Sequence, residues 1–514
     1  MTRTTSRTTR YDTVELSFRG DDALPVDGQP PFTVRLTCDD GGEPVVVPGF
    51  WDGSHDYRAR FCAEREGRWT WEVEDARTAL DRTAGAFEVG DGDGHGAHGH
   101  GPVRVAHRFH FAHADGTPFR PVGTTAYNWL HQDEPLFGDT VAAVAEAGFN
   151  KLRFMVFPQA GGYVEHVPDL LPFERVEGRW DVSRPVPAFF RRLDAAVAVL
   201  GQHGIQADVL LLNAYDRGFF GLDGLSEEED AVYLRYVVAR LAAYPNVWWS
   251  LCNEFDQLER PAERWDRAGA LLADLDPHRH LRSIHNWVEL YDNNQAWVTH
   301  ASLQNGSATT EPGRANLYRD VWGKPVVLDE IKYEGDIPLR WGDLDARQLV
   351  HQFWNTTVAG CYASHGESFV TPSGSLHMVE GGRLRGEAPA RLAFLREVLD
   401  GLDVPGLDPI DKWDDPAHVA GAARRQYVQY LGRSAPEHWE FRLPVGFPGE
   451  RPEPGDEFVV DVIDTWHMTV ERVPRRFALT DVERNEARDR ASAPVALPHG
   501  EAVALLVTRV EPAE

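Results

Sequence analysis

The stretch VWWSLCNEF, residues 247–255, has the pattern of a buried β-strand that ends in a polar pair, Asn253 and Glu254. A second stretch, PVVLDEIKY at residues 325–333, repeats the pattern, and its apolar run ends at Asp329 and Glu330. In a parallel β/α barrel the carboxyl ends of the strands point into the active-site mouth, so polar residues there need an explanation other than packing. We therefore expect the two glutamates to belong to one site.

Strand candidates alternate with amphipathic helices from residue 109 to residue 402, an order typical of βα units and a parallel sheet. Eight strands are predicted, at residues 119–129, 149–157, 205–213, 247–255, 281–287, 297–305, 325–333 and 360–368. About 290 residues with eight such units match the size of a (β/α)8 TIM barrel, so the predicted fold class is α/β. A doubly wound sheet is the competing layout, but no G-x-G-x-x-G turn follows the first strand.

The segments on either side of the barrel alternate apolar and polar residues with the period of a β-strand. Residues 1–90 predict an immunoglobulin-like β-sandwich, and residues 403–514 predict a second, small β-sandwich. Residues 91–108 are predicted to form a linker, because the run GDGDGHGAHGHG at 90–101 is rich in glycine. The histidines of this run, His95, His98 and His100, could bind a metal, although a flexible hinge is the favoured interpretation.

Composition excludes several classes of partner. The formal charge of −28 would repel nucleic acids and anionic membranes. No apolar run of about 18 residues or signal peptide is found, so we expect a cytoplasmic protein without a membrane span. The four cysteines, Cys38, Cys62, Cys252 and Cys361, form no C-x-x-C pair and are expected to be free thiols, with a Cys38–Cys62 bridge as the alternative. We expect no cofactor and no metal, and a homo-oligomer stays open.

The paired glutamates indicate glycosidic bond cleavage, which requires one carboxylic acid to protonate the leaving oxygen and one carboxylate to attack carbon or activate water. If the two groups lie about 5–5.5 Å apart, the second attacks carbon directly and the anomeric configuration is retained. The alternative is that each glutamate is a solvated surface residue. Their placement directly after two apolar strands favours the catalytic interpretation, with Glu254 as acid/base and Glu330 as nucleophile.

The motifs around these residues resemble those of clan-A glycoside hydrolases. The segment WSLCNE at 249–254 resembles the strand-four Asn-Glu motif of that clan, in which the glutamate is the acid/base. Glu330 resembles the nucleophile on strand seven, and Arg153 in KLRF at 151–154 resembles the arginine on strand two. This resemblance implies that Asn253 binds the 2-hydroxyl of the sugar and that Arg153 keeps Glu330 ionised.

More narrowly, the chain resembles the apiosidase-like group of barrel hydrolases, which carry an N-terminal immunoglobulin-like domain and a C-terminal β domain. The segments that support this are DGTPF at 115–119, GTTAY at 123–127, DEIKYEG at 329–335 and GCYASHGE at 360–367. Apiosidases are expected to use an aspartate as acid/base, whereas this chain offers Glu254. The resemblance therefore does not extend to apiose specificity.

Further polar and aromatic side chains at or just past the predicted strand ends are candidate sugar contacts: Tyr127, Asn128, Trp129, Tyr215, Asp216, His285, Asn286, Trp287, Gln304, Tyr333, His365 and Glu367. Aromatic faces suit the C–H groups of a sugar, and polar groups suit its hydroxyls. For each of them a structural role is an equal alternative. A metal held by His365 and Glu367 is not expected, because the clan requires none.

These observations predict a retaining, exo-acting glycoside hydrolase that removes a terminal β-linked sugar from an oligosaccharide or small glycoside by double displacement. An endo-glycanase or a transglycosylase would use the same two glutamates. A non-catalytic carbohydrate-binding protein is a different alternative, but a degenerate site should have lost one of the two acids. A metal-dependent hydrolase would need a ligand spacing that His285, His300 and His365 do not show.

Overall fold

The computed structural model describes residues 7–91, 99–159, 161, 163–164, 168–215, 224–304, 311–411, 418–446, 450–498 and 500–511. Asp216 and most of the glycine-rich run, with His95 and His98, lie outside these described residues. Among the helices of the described ranges, none has the length and apolarity needed to cross a membrane. All four cysteines are buried free thiols, so the alternative of a Cys38–Cys62 bridge is wrong.

The N-terminal domain contains seven strands: β1 (Arg7–Thr9), β2 (Thr13–Arg19), β3 (Thr33–Cys38), β4 (Val45–Trp51), β5 (Asp56–Cys62), β6 (Gly67–Glu74) and β7 (Ala84–Gly90). Their order is β1-β7-β6-β3-β4-β5-β2, and β4 changes partner from β3 to β5 after Pro48. The alternation seen in the sequence is confirmed, since Trp69 and Trp71 are buried while Arg68 and Thr70 are exposed.

A three-stranded sheet follows, made of β8 (Val103–Ala106), β9 (His110–His113) and β10 (Pro118–Phe119). Phe111 and Phe119 pack on Trp248 with ring centroids 5.1 and 6.0 Å apart. Because Trp248 lies at the start of its barrel strand, this sheet closes the amino-terminal end of the barrel. Strand β8 lies inside the segment predicted as linker, where Val103 joins the same apolar cluster as Phe111.

The predicted barrel is present. Its parallel strands are β11 (Val122–Thr125), β12 (Lys151–Met155), β15 (Gln206–Asn213), β16 (Val247–Asn253), β17 (Arg282–Ser283), β18 (Ala301–Ser302), β19 (Val326–Leu328) and β20 (Tyr362–His365). Each lies within one of the eight predicted segments. The order is β17-β16-β15-β12-β11-β20-β19-β18, and a parallel bridge between His285 and Ser302 joins the two ends. A hairpin of β13 (Phe173–Val176) and β14 (Arg179–Pro185) is inserted after β12.

The helices described are α1 (Glu134–Glu146), α2 (Pro187–Gln202), α3 (Glu227–Leu241), α4 (Ala262–Leu275), α5 (Ala315–Trp322), α6 (Ala346–Val358), α7 (His377–Glu380) and α8 (Ala388–Asp400). Asp133, Ser226 and Asp345 begin α1, α3 and α6 by accepting a hydrogen bond from a backbone amide of the first turn. Such caps satisfy amides that have no partner inside the helix.

The C-terminal domain is again made of strands: β21 (Asp408–Pro409), β22 (Val419–Ala422), β23 (Gln426–Gly432), β24 (His438–Trp439), β25 (Arg442–Pro444), β26 (Glu457–Asp464), β27 (Thr469–Arg472), β28 (Phe477–Ala478), β29 (Asp481–Val482), β30 (Glu486–Arg488), β31 (Val495–Ala496) and β32 (Val503–Arg509). Its main sheet has the order β21-β22-β23-β32-β26-β27.

Tyr430 stacks on Trp354 of α6 at 5.6 Å, which attaches this domain to the barrel. On the other side, Arg60 of β5 pairs with Asp194 of α2 at 2.9 Å.

Candidate active site

The two predicted acids face each other at the carboxyl end of the barrel. Glu254 directly follows β16, Glu330 follows β19 by two residues, and each is only 6% exposed. In the amide orientation that gives both of its polar atoms a suitable partner, the side-chain nitrogen of Gln304 donates to Glu254 Oε1 at 3.1 Å and to Glu330 Oε2 at 2.8 Å. These two oxygens therefore lie no farther apart than the sum of the two hydrogen bonds, about 6 Å. The structure thus brings both glutamates into one cavity.

Glu254 has an unusual backbone. Its φ and ψ are both 52°, in the left-handed region, and it begins a short 3-10 turn at Phe255–Gln257. A residue with a Cβ atom adopts this conformation at a cost of about 1–2 kcal/mol. Such strain is often kept at functional sites, where the surrounding structure holds a side chain in one direction. Gln257, at the end of the turn, donates a hydrogen bond to the Glu254 carboxylate.

Glu330 is surrounded by hydrogen-bond donors and positive charge. The Tyr127 hydroxyl donates to Glu330 Oε1, and Asn253 Nδ2 donates to the same oxygen at 3.3 Å. His285 Nε2 lies 3.3 Å from Oε1, and Arg153 Nη1 lies 3.7 Å from it. An acid in such surroundings is stabilised in its ionised form.

The pKa values of the two acids are shifted in opposite directions. Burial alone would raise the pKa of Glu330, but the hydrogen bond and charge of His285 and the charge of Arg153 outweigh it and lower that pKa. Burial, and then the negative charge of Glu330, raise the pKa of Glu254 well above its ordinary value. One acid is thus held ionised beside one held protonated, the combination that a glycosidase with an acid and a nucleophile requires.

Asn253 is oriented by Arg153. Arg153 Nη2 donates to Asn253 Oδ1 at 2.8 Å, so the amide nitrogen of Asn253 must point the other way. That nitrogen donates to the Tyr215 hydroxyl at 2.9 Å as well as to Glu330. The donor of Asn253 therefore lies beside the carboxylate of Glu330.

Three tyrosines line the cavity. The hydroxyl groups of Tyr127 and Tyr333 are 3.3 Å apart, and the rings of Tyr127 and Tyr215 meet edge to face at 5.9 Å. Burial raises the pKa of all three phenols well above the ordinary value. They are therefore neutral groups that donate hydrogen bonds and offer apolar ring faces.

The loop after β17 is tied to the segment that follows Glu254. Asp256 accepts hydrogen bonds from the backbone amides of residues 287–289, at 2.6 to 2.7 Å. This holds the Trp287 side chain half-exposed, at 50%. Asn286 exchanges two hydrogen bonds with the backbone of Gln304 and so fixes the residue that joins the acids. These bonds favour the structural alternative for Asn286, and its contact with a sugar stays a prediction.

A buried polar layer beneath the acids was missed by the sequence analysis. Lys151 Nζ donates to Asp208 at 2.7 Å and to Asp329 at 2.6 Å, and Ser302 and Ser364 also donate to Asp329. His285 Nδ1 lies 2.9 Å from the Ser302 hydroxyl, which links this layer to Glu330. The signal was a charged residue inside each of two apolar strands, since buried charges are rare unless they are paired.

Four predicted sugar contacts do not reach the acids. Trp129 is fully buried, stacks on Phe137 at 4.5 Å and belongs to the core between barrel and helices. Asn128 accepts a hydrogen bond from the backbone amide of Gln159 at 2.8 Å. Glu367 accepts hydrogen bonds from the backbone amides of residues 385 and 386. His365 Nδ1 lies 2.9 Å from the Thr124 hydroxyl. All four are 2% exposed or less, which favours the structural alternative, and a sugar contact for each of them stays a prediction.

The chain was compared with known proteins. The model of the apiosidase-like catalytic domain matches residues 106–437, and two domains of unknown function, DUF5060 and DUF5605, match residues 7–76 and 413–508. No curated protein sequence matches the chain significantly. A protein of Bacteroides vulgatus ATCC 8482 whose crystal structure is known, and which is assigned as a glycoside hydrolase, is 32% identical in sequence to this chain. The two structures align with a TM-score of 0.90, over 98% of this chain and all of the other.

A glycoside hydrolase of family 5 from the same organism has a TM-score of 0.59 and 14% identity, over 80% of this chain and 93% of that one. At this identity the likeness concerns the fold alone, and it agrees with the barrel described above. The catalytic family model, by contrast, covers more than half of this chain. The chain therefore belongs to the apiosidase-like family and is a glycoside hydrolase whose catalytic domain is a parallel β/α barrel.

Proposed function

We propose that the enzyme is a retaining, exo-acting glycosidase that releases a terminal β-linked sugar. The observation that carries the proposal is the amide of Gln304, which bonds to both acids and limits the separation of the bonded oxygens to about 6 Å. Retaining enzymes have carboxyl groups about 5–5.5 Å apart, whereas inverting enzymes need about 6.5–9.5 Å to admit a water molecule. The observed limit favours direct attack by Glu330.

In the first step Glu330 attacks the anomeric carbon while Glu254 donates its proton to the leaving oxygen, and the glycosidic bond breaks. A glycosyl ester on Glu330 results, and its formation removes the negative charge that had raised the pKa of Glu254. Glu254 is then the base that takes a proton from water, and the water oxygen displaces Glu330 from the anomeric carbon. Asn253 would hold the 2-hydroxyl through both steps.

The enclosure of the site supports exo action. Both acids are 6% exposed, and Tyr127, which donates to Glu330, is in contact with Tyr215 and Tyr333, so little of the site is open to solvent. A pocket of this kind suits one sugar ring at a chain end, whereas an endo-glycanase requires a cleft open on both sides. The presence of Glu254, where apiosidases are expected to have an aspartate, supports a sugar other than apiose.

We also propose that the enzyme acts in the cytoplasm on short glycosides. The four cysteines support this because they are buried free thiols, as is common in a reducing compartment. Fractionation of the producing cells, followed by an activity assay of each fraction, tests the location. Activity found mainly outside the cytoplasmic fraction would contradict it.

The test of the catalytic proposal is a panel of chromogenic pyranosides and furanosides in both anomeric forms, followed by NMR of the first product formed. We expect the product to have the anomeric configuration of the substrate. Glu330→Gln should lower turnover by about four orders of magnitude or more. Glu254→Ala should lower it by about 10²–10⁴-fold for poor leaving groups, less for acidic ones, and azide should restore its activity.

The matched control is Glu259→Ala, which removes an exposed carboxylate five residues after Glu254 and should leave turnover unchanged. A product of inverted configuration would refute the retaining mechanism. Release of internal fragments from an oligosaccharide would favour the endo-glycanase alternative, and new glycosides formed from added acceptors would favour the transglycosylase. Sugar binding without turnover of any glycoside would favour a carbohydrate-binding protein.

A further inference from the structure

A second cluster of buried polar side chains lies at the carboxyl ends of β19 and β20. It consists of Glu334, His365 and Glu367, which are 4% or less exposed. One ligand atom from each residue lies within 4.8 Å of the others, and His365 Nε2 is 3.9 Å from Glu367 Oε1. Glu334 and Glu367 are also joined by a parallel backbone bridge, so the cluster is held by two neighbouring barrel segments.

The two carboxylates are fixed by backbone amides on one side. Glu334 accepts hydrogen bonds of 2.8 and 3.1 Å, and Glu367 accepts two of 2.9 Å, all from the amides of residues 385–388 at the start of α8. A carboxylate oxygen has two lone pairs, so each of these oxygens can still bind a second partner. A helix amino terminus supplies only about half a positive charge, which is less than two carboxylates carry.

The third member points an unpaired nitrogen at these acids. His365 Nδ1 lies 2.9 Å from the Thr124 hydroxyl, and the ring stacks on Phe149 at 4.9 Å, so its orientation is set. Its Nε2 is completely buried and has no hydrogen-bond partner among the described residues. A buried polar atom without a partner costs about 1–3 kcal/mol, and this one faces two acids rather than an apolar surface.

We propose that Glu334, His365 and Glu367 together bind one divalent transition-metal ion, such as Zn²⁺ or Mn²⁺. One imidazole nitrogen and two carboxylate oxygens are a donor set suited to these ions. Ligand atoms about 2.0–2.2 Å from a common ion lie at most about 4.4 Å apart. Three ligands cannot all lie opposite one another, and around a tetrahedral ion their atoms are about 3.4 Å apart, so from the observed limit of 4.8 Å the side chains must close by at most about 1.4 Å.

The ion would be structural rather than catalytic. None of the three residues has a described hydrogen bond or ion pair with Glu254 or Glu330. Glu334 instead directly follows Tyr333, whose hydroxyl lies 3.3 Å from that of Tyr127. An ion on Glu334 would brace the loop that carries Tyr333 against the start of α8. This inference goes beyond the proposed glycosidase activity and does not depend on it.

The test measures metal bound to the full-length protein. The chain is loaded with Zn²⁺ or Mn²⁺, dialysed and examined by elemental analysis, and its melting temperature is recorded with and without a chelator. We expect about one metal per chain and a lower melting temperature after chelation, restored by the same ion. His365→Gln and Glu367→Gln should each lose the bound metal and the response to it.

The matched control is His377→Gln, which changes another buried histidine near the cluster that has a described partner, the Gly382 carbonyl, 2.9 Å away. This variant should keep its metal even if its melting temperature falls. A wild-type chain that retains no metal and is not stabilised by either ion would overturn the proposal and favour a proton shared by the two carboxylates. Equal metal content in His365→Gln and the wild type would overturn it as well. Failure of the glycosidase proposal would appear separately, as absence of turnover in the metal-loaded chain.

Discussion

Replacing Tyr127 with phenylalanine removes one hydroxyl group from the nucleophile and keeps the ring in place. That hydroxyl donates to Glu330 Oε1, and Tyr127 is 1% exposed, so water does not screen the interaction. A hydrogen bond to a charged group contributes about 1.5–3 kcal/mol, and about 1.4 kcal/mol corresponds to one pKa unit. Because the hydroxyl stabilises the ionised form, its loss should raise the pKa of Glu330 by about one to two units.

The assay is the pH dependence of kcat/KM on the best chromogenic substrate. Its acidic limb reports ionisation of the nucleophile in the free enzyme, although the two neighbouring acids titrate as a pair. We expect this limb to move by about one to two units toward higher pH in Tyr127→Phe. Activity would then be lost at a higher pH as the solution is acidified, because more of Glu330 is protonated.

Tyr333→Phe is the matched control, because the Tyr333 hydroxyl lies 3.3 Å from that of Tyr127 and has no described hydrogen bond with Glu330. Its acidic limb should move by clearly less than that of Tyr127→Phe. An unchanged limb in a folded Tyr127→Phe enzyme would refute the idea that hydrogen bonding keeps Glu330 ionised. Equal shifts in the two variants would point to a general change in the cavity instead.

Three further substitutions test other parts of the site. Asn253→Ala should lower kcat/KM by about 10–100-fold for substrates with a 2-hydroxyl and have little effect on 2-deoxy analogues. Equal losses for both kinds of substrate would contradict a contact between Asn253 and the 2-hydroxyl. Lys151→Met removes the closer of the two cations that Asp208 and Asp329 share and leaves them only Arg153. This change should lower the free energy of unfolding in urea by about 3–5 kcal/mol, whereas an unchanged midpoint would show that the layer does not depend on this charge. Trp129→Phe should lower the free energy of unfolding in urea by about 1–3 kcal/mol and leave kcat/KM unchanged. A selective rise in KM would instead indicate that Trp129 contacts the sugar.

The barrel and the catalytic pair could be predicted from the sequence because both depend on local patterns. Apolar runs of strand length recur between amphipathic helices, and two of them end in a glutamate. Once eight strands are counted, the topology of a parallel barrel brings their carboxyl ends together. Glu254 and Glu330 thus could be placed in one cavity without any knowledge of the loops.

The finer selection of sugar contacts could not be predicted in this way. Tyr127 and Trp129 are two residues apart and would share a face if the strand continued. However, β11 ends at Thr125 and a 3-10 turn begins at Trp129, so the period of two no longer applies. Tyr127 consequently reaches Glu330, while Trp129 enters the core beside Phe137. The direction of a side chain beyond a strand end depends on loop geometry that the sequence pattern does not contain.

The difference between the two acids comes from their neighbours rather than from their own chemistry. The sequence suggested Arg153 as the group that keeps Glu330 ionised, but its charge is shared, because Nε lies 3.6 Å from Asp208 and 3.8 Å from Asp329. The hydrogen bond from His285 contributes more to lowering the pKa of Glu330 than Arg153 does. Burial, and then the negative charge of Glu330, raise the pKa of Glu254 well above its ordinary value, so Glu254 is held protonated. The ionisation of Glu330 thus adds to the effect of burial on Glu254, and a change in the donors around Glu330 should alter both limbs of the pH profile.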